Sequence, residues 1–246
     1  MTHSLDILEM PFDALAAYWL SLKKLTDAKK GKGVLAEEAT GTEEPFIRHL
    51  LEVVFSGLEI SVVRRLAEVR RDELLHAYQQ KIEIMRLALF AIASSENPRV
   101  TLVRMNSKYA EPPMEEKQAF EMARAMGDAL ADPSTDKAIL LDVDHKMTPD
   151  RLLVKLMFYV IHARHKGKTE LAPFLKFAGS PYFTEGLALC IDGFEADFLA
   201  YHLESIRDET LRLIRLKMDM SLEMALSIRK KYSYDDIWRV ARSFMP

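Results

Sequence analysis

Apolar residues recur along this chain three and four positions apart, the spacing of helices, and almost nowhere with the alternation of a strand. Leu15, Tyr18, Trp19 and Leu22 share one face of a predicted helix from Pro11 to about Lys30. Pro11 suits its first turn and Gly31 a left-handed C-terminal cap. Residues 33–44 read as a short helical turn and loop. The next helix is predicted from Glu43–Pro45, with Leu50, Leu51, Val54, Phe55 and Leu58 in period. Residues 59–93 continue it, unbroken or with a joint near Gly57. Asn97-Pro98 ends that block. A helix follows from Pro113 to about Ala131, carrying Phe120, Met122, Ala123, Met126 and Leu130, until Asp132-Pro133 stops it. Val100–Met105 and Ala138–Val143 flank it as short apolar runs, open to two readings, paired strands or buried connections. Thr148-Pro149-Asp150 then supplies an N-cap, a first-turn proline and a dipole-compatible acid for a helix over 150–166. A short helix from Asp235 to Phe244 closes the chain.

The pattern occurs twice. Residues 30–92 align without a gap on residues 166–228, a displacement of 136 positions. Lys30-Gly31-Lys32, Leu35-Ala36, Pro45, Gly57 and Glu59 fall on Lys166-Gly167-Lys168, Leu171-Ala172, Pro181, Gly193 and Glu195. There are 16 identities in 63 positions, where composition alone gives roughly four. The expected fold is therefore all-α. It comprises two similar helical lobes from an internal duplication, residues 1–96 and 148–246, bridged by a mixed segment, 97–147, that admits short strands. A glycine inside a helix costs about 1 kcal/mol against alanine. Gly57 and Gly193, one in each copy, thus point to a close helix crossing or a break between two helices.

Composition narrows the function classes. With 9 Gly and 10 Pro among 246 residues, helix is favoured almost throughout. A net charge of −3 gives no basic excess to attract nucleic acid. Crossing a bilayer takes about 20 mainly apolar residues. Ile84–Ala93 is broken by Arg86 and Leu152–Ala163 by Lys155, so no membrane span is expected. MTHSLDILEM lacks a basic region followed by an apolar run, so no signal peptide is expected and the expected location is cytoplasmic. The one cysteine, Cys190, excludes an internal disulfide and reads as a packed, reduced thiol.

Candidate chemistry is sparse. Glu73-x-x-His76 has the spacing of half a helical di-iron site, but the copy holds Glu209 and Arg212, and a cation repels metal. His162 and His165 lack a third ligand, and histidines at a helix C-terminus are favourable anyway. Asp142-Val-Asp144-His145 lacks the glycine and distal glutamate of a calcium loop. There is no phosphate-binding loop, dinucleotide turn or nucleophile elbow. No catalytic residue, metal or cofactor is therefore expected. The doubled charge pattern Glu68, Arg71, Glu73 and Glu204, Arg207, Glu209 is read as an inter-lobe or interface contact. As local pairs these charges contribute only a few tenths of a kcal/mol. Each lobe's first helix also ends in cations, Lys29, Lys30 and Lys32 in one, Arg164, Lys166 and Lys168 in the other.

Residues 148–230 carry, in order, Pro149-Asp150, Ala163-Arg164-His165-Lys166-Gly167, Leu171, Phe183-x-x-Gly186-Leu187, Ile191-Asp192-Gly193 and Leu203-Glu204. This series resembles the cytoplasmic segment of the MotA/TolQ/ExbB proton-channel family, and residues 11–92 resemble it more faintly. The resemblance implies a helical module whose charged face meets a rotor. The family's ion pathway lies in transmembrane helices that this chain lacks. Of the family's rotor-facing charge pair, Arg164 matches the Arg, but Ala172 stands at the Glu, and the first copy has Ala28 and Ala36. What the resemblance implies is a non-enzymatic, stator-like interaction or regulatory module, associated with a flagellar motor or related ion-driven complex. Its partner would be an acidic protein surface, a motor or rotor component, meeting the cationic helix ends. The alternatives are a helical adaptor or self-assembling scaffold unrelated to motility, forming homo-oligomers, and an enzyme of di-iron type.

Overall fold

The computed structural model describes residues 5–28 and 32–246, and among these every regular element is a helix. In order they are α1 (Phe12–Ala28), α2 (Lys32–Gly41), α3 (Pro45–Val54), α4 (Ile60–Ser94), α5 (Pro98–Asn106), α6 (Glu116–Ala131), α7 (Lys137–Leu141) and α8 (Pro149–Lys166). A 3₁₀ segment (Lys168–Phe177), α9 (Pro181–Asp192), α10 (Ala196–Arg229) and α11 (Tyr234–Arg242) complete the chain. The strands entertained for Val100–Met105 and Ala138–Val143 are absent among the described residues; the first run lies within α5, and α7 takes up most of the second. Side-chain caps decide this locally. Asn97 accepts from the Arg99 N–H ahead of Pro98, and Asp136 accepts from the Ala138 N–H. Residues 32–41, read as turn and loop, form a helix of ten residues. Thr148 stands at the N-cap of α8 without a capping bond, because its hydroxyl hydrogen-bonds the Asp150 carboxylate instead. No described helix is long and apolar enough to cross a membrane.

Two glycine positions separate helices as breaks. After α3 the chain leaves helical geometry until Ile60, and the Arg229 guanidinium donates to the carbonyls of Val54 (3.0 Å) and Leu58 (2.6 Å). After α9, Gly193 takes the left-handed conformation at φ 83°.

The chain forms two compact units. One comprises the described residues up to His76 with Thr210–Pro246, and the other Ala77–Glu209. They do not follow the sequence divisions at 96/97 and 147/148. The reason is the length of α4 and α10, 35 and 34 residues, about 50 Å of helix each. Each long helix contributes its two halves to different units.

In the first unit α1 packs on α2 and α11, and α2 on α3. Trp19, Phe46, Ile47, Leu50 and Val54 are fully buried there, as are Met220 and Met224 from α10. In the second unit α8 packs on the 3₁₀ segment, α5 and α6, and the 3₁₀ segment on α9. Its core gathers Met157, Tyr159 and Phe183 with Met85 and Leu89 from α4 and Leu203 from α10.

Element starts recur at 136 residues: Lys32 and Lys168, Pro45 and Pro181, Ile60 and Ala196, Pro98 and Tyr234. The packing partners recur with them, α1 on α11 like α8 on α5. Where α2 has Glu37, the 3₁₀ segment has Pro173, which lacks the N–H an α-helix would use. Helices α6 and α7 have no counterpart.

Candidate functional site

The exposed cations at the end of α8 border a groove in the second unit. α8 ends in Arg164, His165 and Lys166, and Gly167 then turns the chain with φ 95° and ψ 150°, a region open to glycine. One face of α6 forms the opposite wall, with Phe120, Ala123, Arg124 and Gly127 at helical spacing. The volume enclosed is about 580 Å³. Its floor is apolar: Phe158 is buried, and Ile161 and Leu130 are half-buried.

Three cations placed together in the sequence have different roles here. Arg164 is exposed, but its Nη1 donates to the Ser95 carbonyl at 2.7 Å, tying α8 to the turn after α4. Lys166 is exposed on the groove. Lys168 is half-buried, with Nζ 3.8 Å from where a Cβ on Gly193 would sit, at the negative end of α9. Lys29 and Lys30 lie outside the described residues, as does the side chain of Lys32. His162, between the rings of Phe158 (5.6 Å) and Phe174 (5.1 Å), is held below the usual histidine range by burial and then by the Lys166 charge.

The doubled charge pattern links the two long helices. In the first unit Arg71, 14% exposed, pairs with Asp219 of α10 (2.5 Å) and with Asp72 (3.0 Å). In the second, Arg207 of α10 pairs with Glu83 of α4 (3.1 Å) and with Asp208 (2.8 Å). Asp219 stands 136 residues after Glu83, so the two bridges occupy equivalent positions. Burial alone would raise the Glu83 carboxyl; bonds and charge from Arg86 and Arg207 outweigh it and hold that group below the usual carboxylate range. Glu204 pairs with Arg207 at 3.2 Å, whereas Glu73 pairs with Arg70 at 2.8 Å. Glu68 is half-buried near Arg64, which bridges to Glu223, and Glu209 is exposed on α10.

Two buried lysines repeat the same logic. Lys217 Nζ donates to the carbonyls of Ile7 (3.1 Å) and Leu8 (2.9 Å), and Lys81 Nζ to that of His145 (2.6 Å). Each fastens the segment that precedes a first helix, α1 or α8. Burial pushes both ammonium groups down, against the opposing charges of Asp6 and Asp144 respectively.

The metal and nucleophile candidates have structural engagements. Asp142 Oδ1 accepts from the Gly179 N–H (3.1 Å) and Asp144 Oδ1 from the Lys146 N–H (2.8 Å). The Cys190 thiol is fully buried, donates to the Leu89 carbonyl (3.3 Å) and is pushed up to about 12 by burial.

Sequence reasoning missed the groove and Arg124. The available signal was the spacing of Ala123, Gly127 and Ala131, which leaves one face of α6 without bulk. No family model, curated protein or solved structure matches the chain.

Proposed function

We propose that the chain is a non-enzymatic, stator-like interaction module of the cytoplasm, built by internal duplication, that docks an acidic protein surface. The partner class is a motor or rotor component of an ion-driven complex. Docking uses Arg164, Lys166 and Lys168 at the end of α8, with Lys29, Lys30 and Lys32 as the equivalent cluster of the first copy. The observation that carries this reading is the exposure of Arg164 and Lys166 beside an apolar groove, at the position where the family resemblance has its rotor-facing arginine. The duplication is supported by element starts 136 residues apart, by repeated packing partners and by the equivalent bridges of Arg71 and Arg207.

Reversal of Arg164, Lys166 and Lys168 to glutamate tests the docking face. Capture from native lysate should yield acidic motor proteins with the unaltered chain, few with the triple variant, and fewer as salt rises. A captured set indifferent to the reversal at low salt contradicts the reading.

One observation favours a second reading, the self-assembling scaffold. Val62, Leu66 and Val69 form an exposed stripe on α4, at 43%, 39% and 62% exposure. Phe194 and Phe198 stack at 5.0 Å just before and within the start of α10, both exposed. Sedimentation showing oligomers that Val62→Glu with Val69→Glu disperses supports this reading; a monomer at all concentrations removes it.

A further inference from the structure

The groove between α6 and α8 has the dimensions of a small-molecule site, whichever protein docks nearby. At about 580 Å³ it lies within the range of about 300–1,000 Å³ in which such sites fall. The room comes from α6, where Ala123, Gly127 and Ala131 face the larger side chains of α8. A Cβ added at Gly127 would meet nothing within 4 Å, so the space beside it is open. From Phe120 to Ala131 the α6 wall extends about 16 Å, long and narrow like an acyl chain. Phe120, Leu130, Phe158 and Ile161 give that strip an apolar surface.

Charge settles the other end. The permanent cations on the lining are Arg124, Arg164 and Lys166, against a single carboxylate, Asp128. An apolar strip rimmed by excess positive charge suits a ligand with a long hydrocarbon part and one anionic head.

We propose that this groove binds a single-chain amphiphilic carboxylate of the fatty-acid class. The chain lies along Phe120, Phe158 and Ile161, and the head meets Arg124 and Lys166. Because α6 has no counterpart elsewhere in the chain, the site is confined to the second unit.

Titration of the full chain with dodecanoate, kept below its micellar concentration and followed by calorimetry, tests this. Saturable one-to-one binding is expected, with dodecanol at least about tenfold weaker for want of the charged head. Shortening the acid should weaken binding by up to about fourfold per methylene. Gly127→Phe fills the groove from an exposed helical position and should reduce affinity about tenfold or more without lowering the melting temperature. Arg124→Gln with Lys166→Gln, both at exposed positions, should weaken dodecanoate about tenfold and leave dodecanol unchanged. Non-saturable uptake, equal affinity for dodecanoate and dodecanol, or binding indifferent to both variants would overturn the proposal.

Discussion

Gly186 has no room for a side chain. A Cβ there would collide with Leu89 Cδ1 and lie 3.0 Å from Leu203 Cδ2, inside the core of the second unit. At the positions 136 residues away stand Leu50 and Ala225, both fully buried, so the first unit holds leucine and alanine where the second holds glycine and leucine. If the copies share one packing plan, the bulk has changed sides. Gly186→Leu alone should then overpack the core and destabilise by about 1–3 kcal/mol. Adding Leu89→Ala should restore most of the loss, although Leu89→Ala by itself also destabilises. Thermal melts of the two single variants and the double measure the coupling, and additive losses would argue against equivalent packing. A second residue sets a pH dependence. Glu44, 5% exposed, is raised to about 7, first by burial and then by Asp6, while the Ile47 N–H it caps pulls the other way. The folded state therefore holds this proton more tightly than the unfolded state does. The resulting stability is fully present below about 4.5, falls as pH rises towards 7, and amounts to about 2–3 kcal/mol. Glu44→Gln keeps an oxygen for the Ile47 N–H and should flatten the stability profile between pH 5 and 8. A profile as steep as that of the unaltered chain would show that Glu44 does not cause it.

At the scale of elements, the caps rank which helix starts matter. Ser233 accepts from the Asp236 N–H (3.2 Å) and donates to its carboxylate (2.7 Å), so Ser233→Ala should cost about 1 kcal/mol, or roughly 2–4 °C in melting temperature. Thr148→Val, at a start with no capping bond, should cost less. The reverse order in calorimetry would contradict the assignment. These starts also show what the sequence made legible. Pro45, Pro98, Pro149 and Pro181 announce their helices because proline fits the first turn and little else in a helix. The apolar runs of α5 and α7 were ambiguous, being too short to display a period, and only the caps Asn97 and Asp136 separate helix from strand. The match of α5 with α11 escaped notice because Pro98–Asn106 and Tyr234–Arg242 share little beyond a capped start, at Asn97 and Ser233. The exposed cations were legible as a cluster. The groove was not, since it depends on α6, distant in sequence, presenting alanine and glycine toward α8.

For the whole molecule, the period revealed a repeat but not which halves share a core. Leu75 of α4 and Ile214 of α10 are buried with the first unit; Ile82 of α4 and Leu199 of α10 with the second. Nothing local in the amphipathic pattern marks where a long helix changes unit. Each unit therefore joins the start of one copy to the end of the other. Hydrogen exchange followed by mass spectrometry on Trp19→Ala tests this most directly. Trp19 is fully buried in the first unit, and its truncation should cost about 3–5 kcal/mol. Peptides from residues 12–76 and 210–242 should lose protection together, while those from residues 98–209 keep it. Loss confined to residues 12–94, with 210–242 still protected, would contradict the account.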